Sequence, residues 1–248
     1  MRSSGVKNCT DEVSGMKLEK MDEFFTARTE GYDEHMLDHV GGCREGYLKM
    51  AEVIPAGTKT ILDLGCGTGL ELDRIFERFP DAEVTGIDLT KSMLDKLLEK
   101  HPDKNLNLIC GDYFEEPFGT ECFDCVVSFE TMHHFKPEKK TELYRKIYDA
   151  LKPGGCYIEC DYMVGTKLEE DYYFSEYERI RTEQGIPEET YCHYDTPCSL
   201  DTQNRILSDA GFDSLEEVFR MENTVMLVAY KSVEQGICLE LKRQLSCR

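Results

Sequence analysis

Two features of the 248-residue sequence carry the means for ligand chemistry. The first is an apolar run, Ile61-Leu62-Asp63-Leu64, that breaks into Gly65-Cys66-Gly67-Thr68-Gly69 before a helical pattern begins. Glycines have no Cβ, so a ligand can approach the backbone closely, and amides at a helix start can meet a carboxylate. Glycines at alternate positions also make a tight strand-to-helix turn with no ligand. The second feature separates these readings. Asp88 ends the run Val84-Thr85-Gly86-Ile87-Asp88-Leu89, about 20 residues beyond Gly69, where an α/β nucleotide fold sets an acid against ribose hydroxyls. A carboxylate is acceptor-only and can take both hydroxyl protons of a diol. The competing role is an N-cap for the next helix, but Thr90 can serve that cap and leave Asp88 free.

These residues need a scaffold, and the hydrophobic pattern supplies one. Residues 16–54 are helix-like, with interruptions at Gly31 and Gly41-Gly42. Strand patterns follow at 60–64, 83–87, 106–110, 123–129 and 156–161, alternating with helical patterns at 70–79, 91–100 and 137–151. The fourth strand is almost wholly apolar, as a strand covered on both faces should be. Lys152-Pro153-Gly154-Gly155 reads as a turn before the fifth. Strands separated by helices imply a parallel, Rossmann-like doubly wound α/β sheet with right-handed crossovers. The acidic, Tyr-rich stretch 166–197, helical over 167–184, breaks this rhythm and reads as a small lid insertion. A helix over 199–210 and closing strands over 214–220 and 224–230 complete the domain. Residues 1–15 read as a disordered leader, 16–230 as the folded domain and 231–248 as a tail.

With these elements in place, the sequence resembles the class I S-adenosylmethionine (SAM)-dependent methyltransferases. The matching pieces are LDLGCGTG, the second-strand GIDL, Gly111-Asp112-Tyr113, FDCVVSFETMHHF around the fourth strand, and LKPGG before the fifth. The resemblance implies a seven-stranded sheet, mostly parallel with an antiparallel last strand, and SAM as cofactor, with S-adenosylhomocysteine as product. It implies that Gly65 and Gly67 border the methionine part of SAM and that Asp63 braces the turn. Asp88 and the adjacent Leu89 would meet the ribose side, and Asp112 and Tyr113 the adenine. Ser128 and Phe129 would line the cofactor at the sheet edge, with Tyr32 covering it. A nicotinamide dehydrogenase is the competing class, but its fingerprint sets the third glycine three residues after the second, and Gly69 is only two after Gly67.

His133 and His134 follow the fourth strand, where related methyltransferases face the departing methyl group. Methyl transfer aligns a nucleophile with a sulfonium, excludes water and, for a protonated acceptor, removes a proton. Histidine titrates near neutrality and suits the last task, with His134 the first choice. Plain packing is the alternative for either ring. In the lid, Tyr173 and Tyr177 lie four apart on a helix and can share a face, while His193 and Tyr194 add polar groups before the next helix. All four are candidates for substrate contact, with simple lid packing as the other reading. His193 and Asp195 could join the histidine pair as metal ligands, but nothing local fixes ligand geometry, so no metal is expected.

Composition narrows the partners. The 49 acidic residues exceed the 29 basic ones, for a formal charge of -20, which repels a phosphate backbone and argues against nucleic acid. A small molecule is the expected acceptor, with a protein second. RNA is the third choice on charge grounds, and a different class of answer is a SAM-binding protein that catalyses nothing or uses SAM for other chemistry. No apolar run approaches the roughly 20 residues that span a bilayer, and residues 1–15 lack a signal-peptide core. A cytoplasmic protein is expected, with its 12 cysteines reduced and its lone C-x-x-C, Cys122 and Cys125, not part of a zinc site.

Overall fold

The structure, a computed structural model, describes residues 17–233. The leader expected over 1–15, and the tail from 234 onward, lie outside the described residues. Three short helices open the chain: α1 (Met21–Arg28), α2 (Tyr32–His39) and α3 (Cys43–Val53). The alternating region follows as β1 (Thr60–Leu64), α4 (Leu70–Arg78), β2 (Glu83–Asp88), α5 (Lys91–Lys100), β3 (Leu106–Cys110), β4 (Phe123–Phe129), α6 (Pro137–Ala150) and β5 (Leu151–Tyr162). The chain ends with α7 (Lys167–Glu183), α8 (Leu200–Ala210), β6 (Ser214–Met221) and β7 (Thr224–Tyr230).

The sheet has seven strands in the order β3-β2-β1-β4-β5-β7-β6. Strands β1 to β5 pair in parallel, and β7 runs antiparallel to both β5 and β6. This is the expected sheet, with the last strand reversed. Alternation along β4 fills a core on each face. Cys125, Val127 and Phe129 join Tyr47, Met50, Leu72 and Ile75 on one side, while Val126 joins Leu143, Tyr144, Ile147 and Leu207 on the other. Among the described residues no helix is long and apolar enough to cross a membrane.

The fifth strand differs from expectation. It begins at Leu151 and runs through the Lys152-Pro153-Gly154-Gly155 segment that reads as a turn. A register shift between Phe123 and Cys125 absorbs the irregularity. A Cβ on Gly155 would lie 2.9 Å from the Asp124 carbonyl oxygen, so glycine lets the two backbones approach there. The C-x-x-C also divides: Cys122 is exposed, while Cys125 is buried 3.9 Å from Cys156 on the next strand.

Asp124 clamps the amino ends of β1 and β4. Its Oδ2 accepts the Lys59 and Thr60 amides, each at 2.9 Å, and the Thr60 hydroxyl, while Oδ1 accepts Lys152 Nζ at 2.8 Å. Partial burial works to raise its pKa, but these donors outweigh it and hold the carboxyl at about 2. A depressed folded-state pKa stabilises the fold above the ordinary carboxylate value and loses that effect as pH falls through the folded value. Asp124→Ala should lower the unfolding free energy at pH 7 by about 2 kcal/mol in urea titrations. The gap between the two proteins should narrow as pH drops from about 4 towards 2. A gap that stays constant over that range would mean the carboxylate is not the source.

Candidate active site

The turn after β1 is held by backbone rather than by its own acid. Gly65 N–H and Cys66 N–H both donate to the Ile87 carbonyl, and Gly67 N–H donates to Asp88 Oδ2 at 2.9 Å. Asp88 Oδ1 accepts Thr90 N–H at 2.7 Å, and the Thr90 side chain makes no capping bond. Two expectations are corrected here. Asp88, not Thr90, receives the amide at the start of α5, and Asp63 does not brace the turn. Asp63 is fully buried, and neither of its carboxylate oxygens has a hydrogen-bond partner. Burial, with Glu71 and Asp88 nearby, pushes the Asp63 carboxyl well up, and burial lifts Glu71 to about 7.

Gly65 has φ +72°, and a Cβ on it would lie 2.6 Å from Thr131 Oγ1. The same Thr131 hydroxyl meets the Tyr113 hydroxyl at 3.1 Å, which ties the loops after β1, β3 and β4 together. Asp112 Oδ1 accepts the Phe114 amide at 2.8 Å, and Leu89 follows Asp88, half-buried. Ser128 and Phe129 have their side chains engaged in the core. Ser128 Oγ meets the Tyr157 hydroxyl at 2.8 Å, and the Phe129 ring stacks 3.9 Å from that of Tyr47. Any lining of the sheet edge by these two residues falls to their backbone.

The segment between α1 and α2 lies across this turn. Thr29 Oγ1 meets Ser92 Oγ at 2.7 Å, Lys96 Nζ donates to the Thr29 carbonyl, and the Thr68 hydroxyl donates to Asp33 Oδ1 at 2.5 Å. Burial raises the Tyr32 phenol pKa, and the carboxyls of Glu71, Asp88 and Glu130 add to that effect. Tyr32 therefore stands near these three acids. It also lines a cavity of about 630 Å³. Phe24, Phe25 and Met36 line that cavity together with Glu130, His133, His134, His193 and Asp195.

The two histidines differ in state. His133 Nδ1 meets Asp161 Oδ1 at 2.6 Å, and its Nε2 lies 3.4 Å from Asp195 Oδ1. Burial opposes a charge on His133, but Asp161 and Asp195 overcome it and hold the imidazole pKa well above its ordinary value. Burial and the neighbouring His133 cation push His134 well below. Burial also brings His193 down to about 4. Burial would raise Asp195, but His133 reverses that and holds it far below the usual range. Burial lifts Glu130 to about 8 although His133 pulls it down, and Asp161 and Asp195 push it further up. At neutral pH His133 is thus an imidazolium, His134 and His193 are neutral, and Asp195 is ionised.

The lid separates its candidates. His193 reaches the cavity, its ring stacked 3.5 Å from Phe24. Tyr194 contributes its carbonyl, which accepts His134 Nδ1–H at 3.2 Å, while its ring stacks on Tyr177. Tyr177 packs with Leu18, Ile180 and Cys192. Tyr173 lines a different groove with Tyr162 and Leu168, and its hydroxyl meets that of Tyr162 at 2.9 Å. Neither Tyr173 nor Tyr177 lines the histidine cavity, which corrects the aromatic-wall expectation for both. Both lie on α7, the helix of the lid, and none of its residues lines that cavity.

Sequence reading passed over Glu130 and Asp161 as site residues and gave Asp195 no role beyond a discounted ligand. Signals existed for the first two. Glu130 directly follows the mostly apolar strand β4, and Asp161 is an acid at the next-to-last position of β5. Phe24 and Phe25 belong to a helix whose pattern gives no hint of what it covers.

Comparison with known proteins points to methyltransferases. A methyltransferase-domain family model matches residues 61–155. The carboxy-S-adenosyl-L-methionine synthase of Campylobacter lari is 28% identical over 240 residues, covering 89% of this chain and 99% of that protein. The malonyl-[acyl-carrier protein] O-methyltransferase of Priestia megaterium is 33% identical over 106 residues, covering 43% of this chain and 38% of that protein. Among solved structures, a phosphoethanolamine N-methyltransferase 2 from Haemonchus contortus, in complex with S-adenosyl-L-methionine, aligns with a TM-score of 0.61. That alignment covers 84% of this chain and 59% of the other at 21% identity, and it shows a shared fold.

The contact between Gly65 and Thr131 is directly testable. Gly65→Ala adds a Cβ at a left-handed φ and forces Thr131 aside. A cost of about 1–3 kcal/mol is expected, or several degrees of melting temperature for a chain of this size. Adding Thr131→Gly should recover part of that loss but not the backbone strain. A melting temperature unchanged by Gly65→Ala would show that the turn relaxes freely.

Proposed function

The chain belongs to the class I SAM-dependent methyltransferases, and from that footing we propose that it methylates a small molecule held in the cavity between the N-terminal helices and the lid. The observation that carries this reading is the cavity itself. At about 630 Å³ it suits a small organic molecule, and Tyr32 joins it to the acids of the glycine turn. A protein acceptor would be expected to need a more open approach than these two walls allow.

The residues at the strand ends fit SAM. The buried Asp63 carboxyl without a hydrogen-bond partner, with Glu71 beside it, offers a place for the ammonium of the methionine part. Gly65 and Gly67 border that part of the molecule. Each oxygen of Asp88 takes one backbone amide, which leaves acceptor capacity for ribose hydroxyls. Leu89 lies beside Asp88 on the ribose side, Asp112 and Tyr113 flank the adenine, and Tyr32 covers the cofactor. SAM, when bound, supplies a methyl group on a sulfonium, open to in-line attack.

The chain's own residues do the rest. A carbonyl only accepts, so the bond to Tyr194 places the His134 proton on Nδ1 and leaves Nε2 a lone pair for the acceptor's proton. Asp161 fixes the ring of His133, which orients the acceptor together with Asp195. His193 and the Tyr194 backbone close the lid side. Phe24 and Phe25 exclude water, which strengthens every charge interaction inside. A second reading, in which the methyl of SAM receives a carboxyl group from a carboxyl donor instead of leaving for an acceptor, is favoured by one observation: relatives matched along 99% of their length bear the name of carboxy-SAM synthases.

A panel of hydroxylated, thiol and amine acceptors, with S-adenosylhomocysteine as the readout, tests the proposal. Acceptor-dependent release of S-adenosylhomocysteine is expected. A carboxylated sulfonium compound, formed from SAM when a carboxyl donor is supplied and without release of S-adenosylhomocysteine, would favour the second reading. Asp88→Ala should weaken SAM binding at least about tenfold by calorimetry, because hydrogen bonds to a charged acceptor are worth about 1.5–3 kcal/mol. Unchanged affinity in a folded variant would confine Asp88 to holding the turn. His134→Ala should lower turnover by about a hundredfold or more while SAM affinity stays within about twofold. Full turnover in that variant would remove His134 from proton transfer.

A further inference from the structure

The geometry points to a divalent transition-metal site at His133, His134 and Asp195, on the wall of the central cavity. The ligand atoms of these three residues lie within 4.8 Å of one another. Asp195 Oδ1 stands 3.4 Å from His133 Nε2 and 3.8 Å from His134 Nδ1. An ion bonded to nitrogen and oxygen at about 2.0–2.1 Å in tetrahedral geometry holds its ligand atoms about 3.4 Å apart. One separation already meets that value, and the other needs a small rotation of a half-exposed carboxylate.

Three further features fit an ion better than packing. Buried Asp161 holds His133 Nδ1 at 2.6 Å, the outer carboxylate that commonly orients a metal-binding imidazole and fixes which nitrogen faces the ion. The ligands come from two walls, the loop after β4 and the lid. The remaining side opens on the cavity, which leaves coordination positions for solvent or acceptor. Two imidazoles and one carboxylate suit Zn²⁺, Fe²⁺ or Mn²⁺ rather than Mg²⁺ or Ca²⁺, which prefer oxygen ligands. Loading the site displaces the proton from His133 Nε2 and moves the His134 proton from Nδ1 to Nε2. The Tyr194 carbonyl then gives up its donor.

The role of such an ion rests on the proposed methyl transfer. It would bind the acceptor's hydroxyl or thiol and lower its pKa, and so would take over the deprotonation assigned to His134 in the metal-free chain. The existence of the site does not depend on that reading, and neither does its test.

The full chain, stripped with a chelator, is dialysed against Zn²⁺, and bound metal is counted by mass spectrometry. Zinc affinity is measured against a chromogenic chelator. About one ion per chain is expected, with affinity falling at least about tenfold in Asp195→Ala and again in His134→Ala. Circular dichroism checks the fold of each variant, and if His134→Ala does not fold, Asp195→Ala carries the result. The 12 cysteines are competing ligands, so Co²⁺ loading is the second measurement. A nitrogen–oxygen site gives weak visible bands without thiolate-to-cobalt charge transfer. Stoichiometric binding absent, undiminished in Asp195→Ala, or carrying a thiolate band would each overturn the site. Methyl transfer that persists in a chain without bound metal would leave the function and the site standing and remove only the ion's role in deprotonation.

Discussion

The parallel pairing of β1 with β4 is the contact on which the site depends. It runs from Ile61 opposite Cys125 to Leu64 opposite Ser128. Strand order reverses at this pair, so the chain leaving β1 turns to one face of the sheet and the chain leaving β4 turns to the other. A crevice must open between them, whatever the side chains are. Thr131 against Gly65 sets how closely the two departing loops approach. Asp124 pins the same two strands at their opposite ends. Register along this pair therefore fixes where Asp63, the glycine turn and the histidines fall relative to one another. A shift of one residue would turn each of these side chains to the other face.

Much of this framework was legible in the sequence because it rests on local periodicity. The apolar runs, the glycines and the acid at the end of β2 are signals a few residues long, and the fold followed from their order. The difficulties lay where a residue's partner is distant. Asp63 sits in the turn motif, yet the turn is held by the Ile87 carbonyl and by Asp88, and only the packed structure shows its carboxyl without a hydrogen-bond partner. Asp161 and His133 are 28 residues apart and meet only across neighbouring strands. Tyr173 and Tyr177 share a helix face as spacing requires, but spacing does not say what that face meets. The first bonds to Tyr162 and the second stacks on Tyr194. Lys152 to Gly155 read as a turn because proline and glycines usually break strands. Here the break is absorbed as a shift of register beside Asp124.

Burial governs the chemistry of the cavity more than the chain's overall charge does. An excess of acids surrounds the protein, yet inside the cavity the carboxyls take different states. Asp195 is ionised because His133 faces it, while Glu130, deeper and among other acids, is pushed up to about 8. A second buried polar network anchors the sheet beneath. Lys140 donates to Gln203, which donates to Tyr144 and Glu159, and Tyr157 links Glu159 to Ser128. The lid is joined to this base by Glu170, whose Oε2 accepts both the amide and the hydroxyl of Ser199 at 2.7 Å. The lid helix is therefore fastened at its root, and the far end of the lid, beyond that helix, closes the cavity with His193 and Asp195.

That far end is held by the other end of the described chain. Lys20 bridges to Cys192, the Met21 amide donates to the Tyr191 carbonyl, and the His193 amide donates to the Glu19 carbonyl. Leu18 N–H reaches Gln184 Oε1, 166 residues away. Contacts this distant carry a large loop-closure cost, and they form only after the intervening sheet has brought their ends together. A nascent chain can build the strands and the glycine turn while the ribosome still holds the lid. The pocket has no second wall until residues beyond 190 have emerged and found the opening helix. Cofactor-binding scaffold and reaction chamber thus mature at different times, and a truncated product of translation would be half an enzyme, with a floor and no roof.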